Sequence, residues 1–524
     1  MAHERITGPG PSDVSGRAAS PDISVDVVDL SAPGQGSVGI PKVADAVVWD
    51  ELLDQHGRPR PGAEVLASHL KAVTQSELQS RQDQVDVDIL ANGITFSVYS
   101  DGRGIDRAWP FDVVPRVISG DEWDGVEAGL AQRLKALNEF IDDVYNDQRV
   151  IADGVFPAEL LTGSVNYRTE CRGMHPAFGV WAHICGTDLV RDGDGTFRVL
   201  EDNLRVPSGV SYMLENRLIS KRVMGDLFRS QSIRPVDDYP DALLNLLQSI
   251  APDPGEPNVV LLTPGVYNSA YFEHSFLARR MGVALVEGPD LVVRNNRVFM
   301  RTIDGLRQVD VIYRRVDDMF LDSEVFHPDS MLGVAGLMRA WRAGNVAIAN
   351  APGAGVADDK VVYAWVPDLI RYYLHEEPLI ASVPTYRCLY EDERNFVLDN
   401  LHNLVAKPAN ESGGYGLCIG DRATPEQLAT TRQSITADPR NWVAQPILAL
   451  STVPTLTDEG VDGRHVDLRP FVLSGRSTYV TRGGLTRVAR PKGSLVVNSS
   501  QGGGSKDTWV VESNGLSQFQ SMAG

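Results

Sequence analysis

Residues 186–209 constrain the fold of this chain more than any other segment. Their sequence, GTDLVRDGDGTFRVLEDNLRVPSG, predicts two strands joined by a tight turn. A two-residue loop at positions 194–195 would place Asp188 directly opposite Glu201 in an antiparallel hairpin. Asn203 lies two positions beyond Glu201 and therefore faces the same side of the strand. The segment thus predicts three oxygen-bearing side chains on one face of a sheet, a set that suits Mg²⁺.

Two simpler interpretations of this hairpin remain open. One is the calcium loop of an EF-hand, whose third, fifth and sixth positions would be Asp192, Asp194 and Gly195. Glu201 would be its twelfth residue, but Val190 in the first position cannot bind a metal, and the flanking segments are strands rather than helices. The other interpretation is an ordinary solvated hairpin that binds no ligand.

Two lysines further along the chain have the surroundings of anion-binding residues. Lys407 ends the apolar strand LVAK and precedes the glycine-rich loop 412–416. A lysine that points inward from a strand is costly unless it meets an anion, and a glycine loop lets backbone N–H groups approach phosphate oxygens. Lys360 begins a predicted amphipathic helix, and Gln445 follows in the strand VAQPIL, where it could face an adenine. A plain turn remains the alternative for the loop.

Arginines occur on the strands that follow. Asp467 and Arg469 begin one predicted strand, and Arg482 ends the next one after a turn at Gly475. Exposure on the surface is the alternative for both arginines.

The 524 residues are too many for one hydrophobic core, so several units are expected. Residues 1–40 are rich in Gly, Pro, Ser and Asp and predict a disordered tail, as do residues 512–524. Residues 41–256 predict a helical region plus the hairpin. Within that region Ser119 and Glu122 have capping-box spacing, and the helix that follows has one apolar face, formed by Val126, Leu130, Leu134, Leu137, Ile141 and Val144. Residues 257–345 predict an α/β unit with a short hairpin at residues 295–296 and without a dinucleotide fingerprint. Residues 346–511 alternate strands with glycine-rich loops.

Composition excludes several classes of protein. The formal net charge of −20 opposes binding to nucleic acid or to an anionic membrane surface. We find no apolar run of about 18 residues, the length of a membrane span. The N-terminus lacks the apolar segment of a secretory signal, and the 4 cysteines have no metal-finger spacing. These features predict a cytoplasmic protein with reduced thiols.

Taken together, these segments resemble an ATP-grasp enzyme whose order has been changed. In the usual order the lysines come first and the metal motif last, whereas here the motif at 188–203 precedes both lysines. This order resembles the circularly permuted ATP-grasp family, type 2, related to the synthetase domain of glutathionylspermidine synthase. The similarity spans residues 45–511. Its most specific pieces are the hairpin sequence, DDKVVYAWVPDLIRYYL, VAKPANESGGYG and NSSQGGGSKDTWV. The resemblance implies an α/β fold with α+β elements and a preATP-grasp-like unit at 257–345.

The resemblance also implies roles for individual residues. The metal ligands would be Asp188, Glu201 and Asn203. The nucleotide-binding residues would be Lys360, Lys407, Gln445 and the lid loop of Ser412, Gly413, Gly414, Tyr415 and Gly416. Arg482 would lie near the β- and γ-phosphates, Arg205 would face the substrate, and Arg314 and Arg315 would face the acceptor pocket.

The implied activity is a Mg²⁺- and ATP-dependent carboxylate–amine ligase that acts through an acyl phosphate. An ATP-dependent phosphotransferase and a non-catalytic nucleotide-binding scaffold remain alternatives. The synthetase has an arginine two positions before its first metal ligand, where this chain has Gly186, and no amidase domain is appended. The two substrates therefore do not follow from the resemblance: the acceptor could be a peptide, a polyamine or a protein terminus. The oligomeric state and the role of the loop at 498–507, an anion-binding lid or a plain turn, also stay open.

Overall fold

The computed structural model describes residues 48–100, 103–253, 255–409, 416–497 and 502–512. The predicted N-terminal tail (1–40) and residues 513–524 of the predicted C-terminal tail lie outside these ranges. So do residues 412–415 of the first glycine loop and 498–501 of the second.

The strands form five sheets among the described residues. In chain order they are β1 (Thr95–Ser100), β2 (Arg103–Ala108), β3 (Phe111–Ser119), β4 (Ile184–Arg191), β5 (Phe197–Asn203), β6 (Val259–Leu262), β7 (Ala284–Val286), β8 (Leu291–Arg294), β9 (Arg297–Thr302), β10 (Gly305–Val309), β11 (Val311–Arg314), β12 (Ala347–Ala349), β13 (Ala381–Ser382), β14 (Tyr386–Arg387), β15 (Leu404–Pro408), β16 (Cys418–Ile419), β17 (Trp442–Pro446), β18 (Thr452–Thr457), β19 (Gly460–Ser474), β20 (Thr478–Val488) and β21 (Gly504–Val511).

Helices cover the faces of these sheets. In chain order they are α1 (Glu64–Ala72), α2 (Gln75–Ala91), α3 (Gly120–Tyr145), α4 (Arg149–Ala152), α5 (Ala158–Thr162), α6 (Val210–Val223), α7 (Gly225–Arg229), α8 (Tyr239–Ser249), α9 (Tyr271–Met281), α10 (Leu337–Arg342), α11 (Lys360–Tyr363), α12 (Val366–Leu374), α13 (Glu391–Asn400) and α14 (Pro425–Ala437). The fold is therefore mixed α/β, as the sequence predicts.

The central sheet has the strand order β13-β5-β4-β19-β20-β21-β3, and β18 pairs with β19. Most neighbours are antiparallel, but β3 runs parallel to β21 and β13 parallel to β5. The sheet thus joins strands from the two segments 41–256 and 346–511, which the sequence analysis treated as separate units. Distant parts of the chain build one layer here.

Helix α3 shows how closely a strong pattern determines a local structure. Ser119 and Glu122 form the predicted capping box at its start, each side chain bonding to the backbone of the other. The predicted apolar face is buried, and each such side chain contributes about 1.5–3 kcal/mol relative to exposure. Trp123 Nε1 donates to the Thr481 carbonyl oxygen at 3.2 Å, which fixes the helix to β20.

A parallel sheet of order β12-β11-β6-β7 forms the α/β unit expected at 257–345, and its last strand ends just beyond that segment at Ala349. Its strands are buried on both faces: Val260 and Leu262 pack into one hydrophobic core, whereas Val259 and Leu261 pack into another. The predicted hairpin at residues 295–296 is present between β8 and β9, with φ of 50° and 57° at its two turn residues.

A small antiparallel sheet, β14-β17-β15-β16, carries α13 and α14 and has its own core around Val397, Leu401 and Ile435. It faces the β4–β5 side of the central sheet across an open cavity. Within the ranges given above, no helix is both long enough and apolar enough to cross a membrane.

Candidate functional site

A cavity of about 640 Å³ lies between the small sheet and the central sheet. One end is apolar, with side chains from both sheets. These are Val190, Leu200, Val405, Ile419, Val443, Leu448, Leu450 and Leu495. The other end is strongly charged. Its ionisable residues include Asp188, Glu201, Lys360, Lys407, Asp467, Arg469 and Arg487.

The hairpin β4–β5 brings the predicted metal-binding residues together. Asp188 is paired with Glu201, as predicted, and Gly186 with Asn203. The predicted two-residue loop is wrong, because β4 ends at Arg191 and β5 begins at Phe197. A bulge opposite Asp188 adds one residue to β5 and restores the predicted pairing.

Asp188 is only 2% exposed and is held by two guanidinium groups. Arg469 bonds to both of its oxygens, and Arg487 donates to Oδ2 at 2.7 Å. Burial alone would raise the pKa of Asp188, but the two arginines hold that pKa well below its ordinary value. The same Arg487 bonds to the buried Asp467 on β19. Asp188 is therefore negatively charged at neutral pH.

Glu201 has the opposite surroundings. Burial, and then the nearby Asp188 carboxylate, raise its pKa. No residue in the described part of the chain donates a hydrogen bond to the Glu201 carboxylate or pairs with it as an ion. Since the side chain lines the cavity, its capacity to bind a cation is unused there.

These residues fit a magnesium site in the chemistry of their donors. Two carboxylates and an amide are paired side by side, and hard oxygen donors are what Mg²⁺ prefers. The amide nitrogen of Asn203 donates to the Gly186 carbonyl oxygen at 3.0 Å. The amide oxygen of Asn203 takes no part in that bond. The described residues contain no group of three or more His, Cys, Asp or Glu side chains arranged for a metal. A metal here would need Asn203 and oxygens from water or phosphate.

Lys407 and Gln445 reach the cavity from neighbouring strands of the small sheet. Lys407 Nζ donates to Gln445 Oε1 at 2.5 Å, and Gln445 Nε2 donates to Thr385 Oγ1 at 2.9 Å. Burial lowers the pKa of Lys407 to about 8, although the Glu201 carboxylate opposes this shift. Lys360 also lines the cavity, at the first residue of α11. Both predicted lysines and Gln445 therefore meet at one site.

Arg482 does not have the position that the sequence analysis expected. It is exposed and lies outside the cavity. It also does not end its strand, since β20 continues through Gly483 and Gly484 to Val488. Arg487, on the same strand, lines the cavity instead. Extending the predicted strand beyond the two glycines would have found it.

Arg314 and Arg315 also differ from expectation. Arg314 is fully buried, pairs with Asp318 at 2.6 Å and donates to the Asn350 carbonyl oxygen at 2.7 Å. Arg315 donates to the Pro207 carbonyl oxygen at 2.6 Å and to Ser208 Oγ at 2.5 Å. Neither lines the cavity. Both arginines form ion pairs with buried acidic side chains that do not line the cavity. Arg315 also holds Pro207 and Ser208, which do line the cavity.

Arg205 lines the cavity. Its Nε donates to Asp358 Oδ2 at 2.5 Å, and its Nη1 lies 3.3 Å from Asp317 Oδ2.

Gly186, where the related synthetase has an arginine, leaves room for another side chain. A Cβ atom at Gly186 would lie 3.3 Å from Cδ of Arg469, so Arg469 from β19 covers this position.

The two glycine-rich loops are described only at their ends. Gly416 is exposed, with φ of 70°, and the rest of the predicted lid loop lies outside the described residues. In the second loop, Lys506 and Asp507 are strand residues of β21 and fully buried, so this end of 498–507 is neither a lid nor a turn. Val497, the residue before this loop, lines the cavity. Asn166, in a turn, and Asp358, at the end of a short 3-10 helix, also line the cavity, and neither was predicted from the sequence.

Comparison with known proteins decides the family. The model of the family "Circularly permuted ATP-grasp type 2" matches residues 115–489. The chain belongs to this family. ATP-grasp proteins of this family generally use ATP and Mg²⁺, which supports an ATP-dependent ligase in general.

Two relatives and one solved structure show what this chain is similar to. The uncharacterized protein sll0335 of Synechocystis sp. is 54% identical over 466 residues, covering 88% of this chain and 97% of that protein. A Frankia casuarinae protein with the provisional name glutamate–cysteine ligase 2-2 is 44% identical over 88% of this chain, but only 53% of its own length is covered. The structure of a glutathione synthetase-like effector from Globodera pallida has the same fold, with a TM-score of 0.55 and 12% identity over 83% of this chain and 97% of that one.

Proposed function

We propose that this protein is a Mg²⁺- and ATP-dependent carboxylate–amine ligase that acts through an acyl phosphate. One observation carries the proposal: a cavity with an apolar end and a charged end, in which Lys360, Lys407 and Arg487 face the Asp188–Glu201 pair. A nucleotide has the same division into an apolar ring and a charged phosphate chain. The size and polarity of the cavity match such a ligand.

The adenine would occupy the apolar end. Val405 and Val443 on the small sheet line the cavity together with Leu200 and Leu450, and a flat apolar ring would lie among these side chains. Gln445 and the backbone that follows it provide hydrogen-bonding groups beside them. The phosphates would then extend toward the lysines and arginines.

The charged end would hold the phosphates and the metal. Asp188, Glu201 and Asn203 are the residues that would bind Mg²⁺, and a bound Mg²⁺ would neutralise phosphate charge as it develops during transfer. Lys360 and Lys407 supply positive charge in a site partly shielded from water, where it acts more strongly than in bulk solvent. Arg469 and Arg487 keep Asp188 ionised and fixed in place.

The proposed reaction has two steps. A carboxylate oxygen of one substrate forms a bond to the γ-phosphorus while the bond to the β–γ bridging oxygen breaks, giving an acyl phosphate and ADP. An amine nitrogen of the second substrate then bonds to the acyl carbon, phosphate leaves, and the amine loses a proton. The residues of this chain position the reactants and stabilise charge, so no covalent enzyme intermediate is required.

One relative supports this class of reaction. The provisional name of the Frankia protein refers to ligation of glutamate and cysteine, and this chain matches about half of that protein. The four cysteines of the chain are all free and buried, which supports a cytoplasmic location.

Calorimetric titration with Mg²⁺-ATP tests nucleotide binding directly. We expect binding by the wild-type chain and a loss of the Mg²⁺-dependent part of the affinity in Glu201→Gln, which keeps the shape of the side chain but removes its charge. Arg482→Gln is the matched control because Arg482 lies outside the cavity. A folded wild-type protein that does not bind Mg²⁺-ATP would contradict the proposal.

Product analysis separates the ligase from its alternatives. ADP together with a new amide identifies a ligase, whereas ADP together with a stable phosphoester identifies a phosphotransferase. Binding of ATP without turnover for any pair of carboxylate and amine substrates would favour a scaffold.

A further inference from the structure

Five residues that line the cavity have no role in the proposed nucleotide site, and we call them together the distal compartment: Asn166, Arg205, Ser208, Ser269 and Asp358. Ser269 follows β6 and Asp358 follows β12, so both lie beyond the carboxyl ends of the parallel sheet. The carboxyl ends of parallel strands lie at one edge of a sheet, where ligand-binding crevices commonly form. The position is therefore suited to a second ligand.

Asn166 is a buried polar side chain with unused hydrogen-bonding capacity. It is 7% exposed and lines the cavity, yet its side-chain amide has no hydrogen bond to any residue in the described ranges. Its backbone is fixed, because its N–H lies 3.3 Å from Ser164 Oγ and that hydroxyl donates to Asp359 Oδ2 at 2.8 Å. Buried amides in folded proteins are nearly always hydrogen-bonded to protein or to water, so this amide is available to a ligand or a water molecule in the cavity.

Arg205 also has donors to spare. Its Nε and Nη1 are used by Asp358 and Asp317, whereas Nη2 has no acceptor among the residues that the structure describes. The side chain lies over Gly355, where a Cβ atom would come within 2.6 Å of Arg205 Cδ, so the absence of a side chain there makes room for it. A guanidinium group fixed in this way presents N–H donors that suit a carboxylate.

The acids around Arg205 outnumber it. Asp317 and Asp358 both contact Arg205, which leaves one negative charge in this group. The side chain of Asp358 is 11% exposed and lines the cavity, whereas that of Asp317 is 31% exposed and contacts Arg205 without lining the cavity. A ligand that carries a positive charge beside its carboxylate would balance the whole group.

We propose that the distal compartment binds the zwitterionic head of a free α-amino acid, and that this amino acid is the amine-bearing substrate of the ligase. Its carboxylate would bind Arg205, its ammonium group would face Asp358, and Asn166 would bond to either group, while Asp317 adds negative charge through its contact with Arg205. The second part of this inference rests on the proposed function; the binding of an amino acid does not.

Ligand-observed saturation-transfer NMR tests the compartment with the full-length chain. The probes are a mixture of the twenty free L-amino acids and, in a separate sample, spermidine, each with and without Mg²⁺ and a non-hydrolysable ATP analogue. We expect at least one amino acid to bind and spermidine not to bind. Loss of the α-carboxylate charge in the methyl ester, or of the α-amine charge in the N-acetyl derivative, should weaken binding about tenfold or more.

Three variants locate the binding. Asn166→Leu, which keeps the size of the side chain, and Arg205→Gln should each weaken amino-acid binding about tenfold or more. Arg482→Gln makes the same arginine-to-glutamine substitution outside the cavity, and this variant should bind the amino acid as the wild type does. Thermal unfolding and Mg²⁺-ATP binding show whether each variant is folded, and Asn166→Leu keeps the test decisive if Arg205→Gln does not fold.

The proposal is overturned if no amino acid binds with or without nucleotide, if spermidine binds instead, or if the ester and N-acetyl derivatives bind as well as the parent. It is also overturned if folded Asn166→Leu binds as the wild type does. If the wild type binds an amino acid but not Mg²⁺-ATP, the distal compartment stands and the proposed ligase activity fails. The two proposals can thus be separated.

Discussion

The central sheet and the small sheet each carry a lysine on a strand next to a glycine-rich loop, Lys506 on β21 and Lys407 on β15. Lys506 is fully buried and has three acceptors: the Asp112 carboxylate, the Val114 carbonyl oxygen at 2.9 Å and the Pro454 carbonyl oxygen at 3.0 Å. The ammonium group has three N–H donors, so all of its capacity is used within the protein.

Among the residues that the structure describes, Lys407 has one acceptor of this kind, Gln445 Oε1, and its side chain lines the cavity. Burial lowers the pKa of both lysines, because charge is costly away from water. The difference lies in what compensates for that cost. An internal carboxylate does so for Lys506, whereas Lys407 has donors left for an anion from outside. A buried charge indicates a ligand site only when its hydrogen-bonding capacity is incomplete.

The largest effect that separates the two lysines should be on stability. Lys506→Met leaves the Asp112 carboxylate and two carbonyl oxygens without their partner, and breaking a buried pair in this way costs about 3–5 kcal/mol. We expect a marked fall in the midpoint of urea-induced unfolding, or no folded protein. Adding Asp112→Asn should recover part of the loss. An unchanged midpoint in Lys506→Met would show that the two regions do not differ.

Lys407→Met should have the opposite profile. The change removes a charge whose burial is costly, so the unfolding midpoint should stay the same or rise. Affinity for Mg²⁺-ATP should fall about 10- to 150-fold, since a hydrogen bond to a charged group contributes about 1.5–3 kcal/mol. Calorimetric titration measures this fall. Retention of wild-type affinity in the folded variant would remove Lys407 from the proposed nucleotide site.

The pKa of Lys407 predicts a proton linked to nucleotide binding. With a pKa of about 8, roughly half of the Lys407 side chains are uncharged at pH 8 in the free protein. A bound polyanion favours the charged form, so binding should take up as much as about half a proton at pH 8 and almost none at pH 6. Affinity should accordingly decline from pH 7 to pH 9.

Titrations in buffers of different ionisation enthalpy measure that uptake. Lys407→Met serves as the control, because the linked proton should disappear with the lysine. Equal uptake in both proteins would assign the proton to another group.

Arg482→Gln should have the smallest effect. Arg482 is exposed and outside the cavity, and substitutions at such positions usually change stability by less than about 0.5 kcal/mol. Affinity for Mg²⁺-ATP should also be unchanged, whereas Arg487→Gln should weaken both. A large loss of affinity in Arg482→Gln would restore the role expected from the sequence.

The sequence was sufficient where a local pattern determines the structure. Residues that alternate across a hairpin must share a face, and this placed Asp188 opposite Glu201 even though the loop between the strands is longer than predicted. The capping box and apolar face of α3 depend on neighbours within a few turns. The α/β unit was likewise visible from its buried strands and the turn at residues 295–296.

The sequence was insufficient where contacts between distant segments decide the outcome. Nothing near Arg315 in the chain indicates that it is held by Pro207 and Ser208. Arg482 and Arg487 lie on one strand, and their separate surroundings depend on what packs against each side of β20. Asn166 carries no local signal, because its importance comes from a cavity that is lined by many separate parts of the chain.

The order of strands in the central sheet also governs how the protein can assemble during its synthesis. The hairpin β4–β5 leaves the ribosome early, but β19, its neighbour in the finished sheet, is made only after the parallel sheet and the small sheet. At about 5–20 residues per second, that interval lasts on the order of tens of seconds. Throughout it, Asp188 has neither Arg469 nor Arg487, and one edge of β4 has no partner strand. A chain that stops before β19 would therefore hold an unpaired acidic hairpin rather than half of a working site.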